Sequence, residues 1–295
     1  MYKYQENFSR ETIIAPNRRK RPMIDKQTVE CPFCSHNTGK LEKIIKEVSI
    51  GSEARIRIVA NKYPLVEIED MGVHDVIIDT DKHNQQPRDF SIRHWTILLK
   101  LISERWNDLV KDGRYDFIQI FKNSGRLAGA SIYHSHWQLI ALNKMPYTMV
   151  EKYNKYSKTQ YCYLCNEYHL KECISIYETN SFRVIVPPKP EYYYEVWIVP
   201  KSHKHYYGDI SQDEMEQLGY ILKSMLRVYN IIVPEVDYNI CMMSGDISRK
   251  WEYHFHIRLM MRVSYVAGFE ISTGCSILTI EPKTYALQIK QLLEE

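Results

Sequence analysis

The chain has 295 residues, 44% of them hydrophobic, and carries 39 basic against 36 acidic residues. It is long enough for about two domains with cores that need no disulfides, and its charge is too balanced to imply a nucleic-acid or membrane partner. No run of about 18 apolar residues is present and "MYKYQENFSR" has no signal-peptide pattern, so a cytoplasmic location is expected. Seven cysteines in a reducing compartment read as metal ligands and buried thiols, not disulfides.

In chain order, a basic run "APNRRKRP" (15–22) precedes "CPFC" (31–34). "VHDVIID" (73–79) is β-branched and predicts a strand, followed by His83. "SIRHWTILLKLISERWNDLVKDGR" (91–114) has helical spacing and stops at Gly113. "YDFIQIF" (115–121) is a strand, "NSGRLAGAS" (123–131) a small-residue turn, and "YHSHWQLI" (133–140) a strand with two histidines one residue apart. The polar, aperiodic "NKMPYTMVEKYNKYSKTQ" (143–160) reads as a linker.

The series then starts again. "CYLC" (162–165), the strand "YEVWIVP" (194–200), His203 and a helix opened by Ser211 and Glu214, spaced as a capping box, come first. The strand "DYNICMM" (237–243) and "YHFHIRLM" (253–260) complete it. An offset of 120 residues lays His134 on His254, His136 on His256 and His83 on His203, with 51 residues from the first His to the pair in both halves. Each half is strand–strand–helix–strand–strand, an α+β unit with helices packed on an antiparallel sheet. The expected domains are 1–145 and 146–295.

Two Cys, a distant His and the first His of the pair make a Cys2His2 set in each half: Cys31, Cys34, His83, His134 and Cys162, Cys165, His203, His254. Four protein ligands close a tetrahedral site, so each metal, zinc by preference, is structural. His205 is an alternative ligand that the offset disfavours. Cys173, Cys241 and Cys275 read as buried small hydrophobes, and Tyr192 to Tyr194 as strand and interface residues.

The second histidine is not needed by the metal. On a strand His136 shares the face of His134, and Gln138 follows on the same face. The glycine-rich turn can aim backbone N–H groups at an anion, and Asn123 and Gln138 can donate to oxygen. A neutral imidazole among such donors can attack phosphorus. In the other half Gln138 becomes Arg258, Asn123 becomes Met243, and Gly129 and Ser131 become Arg249 and Trp251. The first half reads as catalytic. The second reads as a structural partner that lends substrate contacts, with His256 a polar residue near the interface of the halves.

"GASIYHSHWQ" (129–138) resembles the Gly-x-Ser-x-x-His-Pro-His-x-Gln signature of the galactose-1-phosphate uridylyltransferases, two-module members of the histidine-triad superfamily. The resemblance covers nearly the whole chain and implies two tandem histidine-triad-like modules and a homodimer. It implies that His136 is the nucleophile, that Gln138 bonds the transferring phosphoryl group and that Ser131 contacts a phosphate. Arg18 and Arg21 in "APNRRKRP", Asn61 in "VANKYP", Asn123 and Gly129 match positions around the nucleotide and phosphates. Phe269 and Glu270 in "AGFEISTGC" match the segment that binds hexose. The implied reaction moves a nucleoside monophosphate from a nucleoside diphosphate sugar to a phosphate-bearing acceptor, with two zinc ions per chain. The second Cys2His2 set is more like the ADP-glucose phosphorylase branch, in which inorganic phosphate is the acceptor.

One departure is Ser135, where the signature has Pro; it adds an N–H and a hydroxyl next to the reacting centre. Three other readings fit the residues less well. A nucleic-acid module built on 18–21 has no use for His136 and Gln138. A nucleotide hydrolase has no use for Glu270. A non-catalytic zinc-stabilised nucleotide-binding scaffold leaves unexplained why the polar set survives in one half only.

Overall fold

The computed structural model describes residues 5–7, 10–26, 30–66, 72–159, 162–245, 247 and 253–295. Among them the strands are β1 (Gln5–Asn7), β2 (Arg10–Thr12), β3 (Ile44–Ile50), β4 (Ala54–Ala60), β5 (Gly72–Ile78), β6 (Phe117–Ser124), β7 (His136–Leu142), β8 (Ile174–Glu178), β9 (Phe182–Val186), β10 (Tyr193–Pro200), β11 (Asp237–Met243) and β12 (His256–Arg262). The helices are α1 (Ile92–Asp112), α2 (Tyr147–Thr159), α3 (Glu167–Leu170), α4 (Gln212–Ile232), α5 (Gly268–Thr273) and α6 (Pro282–Glu294).

The long helices begin and end where side-chain chemistry dictates. The Ser91 side chain accepts from His94 N, and Gly113 closes α1 in the left-handed conformation at φ 74°. Ser211 and Glu214 form the capping box of α4. Each helix lays an apolar stripe on the sheet: Trp95, Leu98, Leu99, Ile102 and Trp106 from α1, and Leu218, Ile221, Leu222 and Met225 from α4.

The antiparallel sheets of the two halves are edge-joined into a single one. Its order is β3-β4-β5-β7-β6-β11-β12-β10-β9-β8, so the halves meet at β6 and β11, with Tyr238 opposite Ser124 and Met242 opposite Ile120. The five-strand orders are equivalent and run outward from this seam in opposite senses. The core is shared as well. α1 crosses α4 so closely that a Cβ built on Gly219 would lie 2.7 Å from Trp95 Cβ, and Tyr207 donates to Leu99 O at 2.7 Å.

The stretch expected as a linker is a helix. Met149 and Tyr153 stand at i, i+4, and that face, with Met145 just before the helix, packs on Val66, Phe117, Ile140 and Tyr253 from both halves. Short apolar spacing inside a polar, Tyr-rich run hid it. Cys275 is exposed and Cys173 and Cys241 are half-buried, so the expectation of buried thiols fails for Cys275, which lies just past α5 where nothing covers the chain. No helix among the described residues is long and apolar enough to cross a membrane.

Candidate functional site

Each CxxC folds as a knuckle, with Cys34 N donating to Cys31 O and Cys165 N to Cys162 O, both at 3.3 Å. The knuckles bring Cys31, Cys34, His83 and His134 together, and likewise Cys162, Cys165, His203 and His254, with all ligand atoms of a set within 4.8 Å of one another. The Sγ to Nδ1 distances are 3.5–3.6 Å in the first set and 3.3–3.4 Å in the second. Tetrahedral zinc with its ordinary bond lengths sets cysteine sulfur and histidine nitrogen about 3.6 Å apart. The tautomers fit too. His134 Nε2 donates to Thr80 O at 2.7 Å and His254 Nε2 to Pro200 O at 2.9 Å, leaving the Nδ1 lone pairs toward the thiols. Burial pushes the Cys31 thiol up to about 12 and raises Cys162 as well, so a divalent cation would displace those protons on binding. His203 is the histidine that completes the second set, and His205 stands beside it with ring centroids 4.8 Å apart.

The first metal set holds one wall of a cleft of about 500 Å³. The segment after the basic run is zipped against the strand of the paired histidines: Ile24 N donates to Ser131 O at 2.7 Å, and Tyr133 N to Ile24 O at 2.8 Å. That pairing carries Arg18 and Arg21 to the cleft. Asn61, Gly129, Ser131, His136 and Gln138 line it with them, so seven of the expected substrate and catalytic residues converge. Gly125 and Gly129 take positive φ, 83° and 86°, which turns the small-residue loop under the cleft. Asn123 sits behind this loop. Its Oδ1 accepts from Asn239 Nδ2 at 2.9 Å, and the same Nδ2 donates to Ala128 O at 3.0 Å. Phe269 and Glu270 are elsewhere. Phe269 is 57% exposed, and Glu270 accepts from Ala267 N to cap α5, in a recess with Arg262 and Tyr265.

His136 Nδ1 donates to His134 O at 2.8 Å. Nε2 is therefore the nitrogen with the lone pair available to the cleft. Burial, with the Lys122 ammonium beside it, pulls His136 down to about 4, so the imidazole is neutral at pH 7. The edge of Phe33 packs on its ring, centroids 5.3 Å apart.

His74 was missed in the sequence, where it reads as one more residue of an apolar strand. It is 4% exposed, and its Nδ1 accepts from Leu65 N at 2.9 Å. Nε2 then carries the proton. Gln138 Oε1 at 3.1 Å and Asn61 Nδ2 at 3.0 Å both converge on it, and only the oxygen can accept. His74 thus fixes the flip of the Gln138 amide and turns its N–H groups away from the oxygen side. A polar residue at a buried strand position was the available signal.

Ser135 corrects an expectation. Strand alternation turns its hydroxyl to the helix side, away from the cleft, where it donates to Asp79 Oδ2 at 2.9 Å.

The second half closes the equivalent space. A bulge between Tyr193 and Val196 shifts β10 by one residue, so Trp197 stands opposite Arg258 as Val76 stands opposite Gln138. Trp197 packs on His256 with centroids 4.7 Å apart and the rings tilted by 31°, where Val76 leaves the cleft open. Arg258 is held by Glu195 at 2.7 Å and Glu191 at 2.9 Å, the place the His74–Gln138 pair takes in the first half. Arg249 and Trp251 lie outside the described residues.

A family model described as the N-terminal domain of a domain of unknown function, DUF4931, matches residues 13–145. ADP-glucose phosphorylase of Arabidopsis thaliana is 27% identical over 96% of this chain and 90% of its own length. Galactose-1-phosphate uridylyltransferase of Thermotoga maritima is 25% identical over 95% and 94%. The crystal structure of the Arabidopsis phosphorylase with bound ADP-glucose superimposes with a TM-score of 0.81 at 26% identity, covering 99% of each chain. The chain is a relative of the galactose-1-phosphate uridylyltransferases. The superposition over nearly the full length of both chains shows that the fold is shared.

Proposed function

We propose that this uridylyltransferase-like chain is a nucleotidyltransferase that uses His136 as its nucleophile and a nucleoside diphosphate sugar as donor. The observation that carries the reading is the orientation of His136: Nδ1–H tied to His134 O, Nε2 open to a cleft that also holds Arg18, Arg21, Ser131 and Gln138. Nε2 attacks the α-phosphorus, a P–N bond forms, and the bond from the α-phosphorus to the bridging oxygen breaks. Sugar 1-phosphate leaves with that electron pair. An oxygen of the acceptor phosphate then attacks the same phosphorus, the P–N bond breaks, and the lone pair returns to Nε2. The guanidinium groups of Arg18 and Arg21 neutralise phosphate charge, the N–H groups of Gln138 donate to the transferring phosphoryl oxygens, and Ser131 with the Gly129 loop contacts a phosphate. Asn61 and Asn123 hold the walls, while Phe269 and Glu270, which do not line this cleft, take no part in the transfer within one chain.

In this reading residues 1–145 form the catalytic module and 146–295 the supporting one. Each Cys2His2 set would hold a zinc ion as a fixed crosslink, and at the first set that crosslink would anchor His134, two residues before His136. A homodimer is supported by the C-terminal segment, where Tyr265, Val266, Phe269 and Ile271 are all more than half exposed. A reducing cytoplasm suits four thiolate ligands.

The test is intact mass after incubation with ADP-glucose or UDP-glucose without acceptor. The wild type should gain one nucleoside monophosphate, His136→Ala none, and added inorganic phosphate or hexose 1-phosphate should discharge the adduct. Nucleotide binding with no adduct from either donor refutes transfer through His136.

A further inference from the structure

The two halves hold their second histidine differently. In the second half β11 and β12 stay paired as far as Met243 opposite His256. In the first half the β6–β7 pairing ends two residues sooner, at Phe121 opposite Gln138. The strands part where the glycine loop begins, and the His136 carbonyl is bonded by a side chain instead of a ladder. Lys122 Nζ donates to it at 3.1 Å. The same ammonium donates to Asp79 Oδ2 at 2.9 Å and to Ser135 Oγ at 2.7 Å. All three of its N–H groups are used, and Ser135 closes the ring by donating to Asp79.

This network is sealed from solvent, with Lys122 1%, Asp79 0% and Ser135 5% exposed. None of the three side chains lines the cleft. The fold does not demand the network either. Met242 and Phe255 stand in the places of Lys122 and Ser135 in the second half, and the adjoining strand ends in Val199 and Pro200. Met242, Phe255 and Val199 are buried carbon. A buried ion pair at best breaks even against well-packed apolar groups, so stability does not explain its presence in one half alone.

We propose that Lys122, locked by Asp79 and Ser135, is a positioning residue that replaces the missing ladder and fixes the backbone of His136 where the sheet opens to admit phosphate. Opening β6 from β7 makes room for the loop, and it also leaves His136, which must hold Nε2 in line with phosphorus, paired on one edge only, opposite Ile78 of β5. A displacement of about 1 Å there can cost on the order of 100-fold in rate. Three bonds from one buried ammonium restore the constraint.

The inference rests on His136 being the nucleophile. The test is the double variant Lys122→Met, Asp79→Asn, which removes both charges together so that neither is left buried alone. Single-turnover formation of the nucleotidyl adduct is followed against ADP-glucose or UDP-glucose concentration, whichever labels the wild type, with melting temperature and metal content in parallel. A maximal rate lower by tenfold or more, at half-saturation within threefold of wild type and with both metals retained, is expected. A folded variant with a maximal rate within twofold of wild type overturns the proposal. If the double variant does not fold, Ser135→Ala gives the reading: a maximal rate lower by threefold or more at unchanged half-saturation supports it, and an unchanged rate overturns it. A wild type that forms no adduct refutes the His136 reading and this inference with it. A reactive wild type matched by its variants refutes this inference alone.

Discussion

Replacing His74 by Leu tests whether the Gln138 amide is aimed from behind. The substitution keeps an apolar body in a position that is 4% exposed but removes both ring nitrogens. Leu65 N–H loses its acceptor and Gln138 Oε1 its donor. An orphaned buried donor costs about 1–3 kcal/mol and a lost neutral hydrogen bond about 1 kcal/mol, so the variant should lose roughly 2–4 kcal/mol at pH 7.5. The pH dependence adds a second signature. Burial, then the nearby Arg18 charge, hold His74 down to about 3 against an ordinary 6.5. Its folded-state pKa is depressed, so the unfolded chain takes up a proton between pH 6.5 and 3 that the folded chain refuses. The stability is complete above 6.5 and is lost as pH falls through that window, by up to roughly 4–5 kcal/mol at about 1.4 kcal/mol per unit. Urea unfolding at several pH values should therefore show a shallower acid slope in His74→Leu. Adduct formation should slow by about 10–100-fold, less than the loss of an oxyanion donor outright, because Gln138 is misdirected and not deleted. A variant as stable as wild type with a rate within twofold would refute the argument.

Chelation or substitution should separate the two metal sets. Cys34→Ser should lower bound metal from two ions to one and abolish the adduct, because that set anchors the strand of His136. Cys165→Ser should lose one ion and several kcal/mol of stability while the folded fraction still reacts; elemental analysis beside the mass assay checks both. Gly219→Ala should destabilise by about 1–2 kcal/mol, since its new Cβ would lie 2.7 Å from Trp95 Cβ and overpacking outweighs the roughly 1 kcal/mol gained in helix propensity; a higher urea midpoint would contradict this. Gly125→Ala should weaken nucleotide binding at least tenfold by calorimetry, because at φ 83° the added methyl would collide with Asp237, whose Oδ2 holds Leu127 N at 2.6 Å.

The two Cys2His2 sets and the place of His136 in the cleft were legible because spacing along a strand and a duplicated series expose them without any knowledge of packing. The seam of β6 with β11 was not, because which sheet edges meet is decided by tertiary contact. The bulge near Tyr194 hid the pairing of Trp197 with His256, since an unbroken offset puts Trp197 over Ile77 and not over Val76. The helix α2 was masked by the exposed Tyr147, Glu151, Lys152, Lys155 and Lys158, which dilute its apolar spacing. His74 and Lys122 sit in apolar strands and Asp79 just past one, and their roles depend on partners 43 to 64 residues away in the chain. The sequence shows such residues as exceptions to a pattern and says nothing of whom they meet.

The central claim is that phosphorus bonds to His136 and to no other residue. The adduct formed from the labelling donor should be digested at alkaline pH, where a phosphoramidate survives, and mapped by tandem mass spectrometry. The nucleotidyl group should lie on His136 in the peptide spanning Ser131 to Gln138, and His256→Ala should label as wild type does. A nucleotide carried on any other residue, or labelling that persists in His136→Ala, would contradict the account.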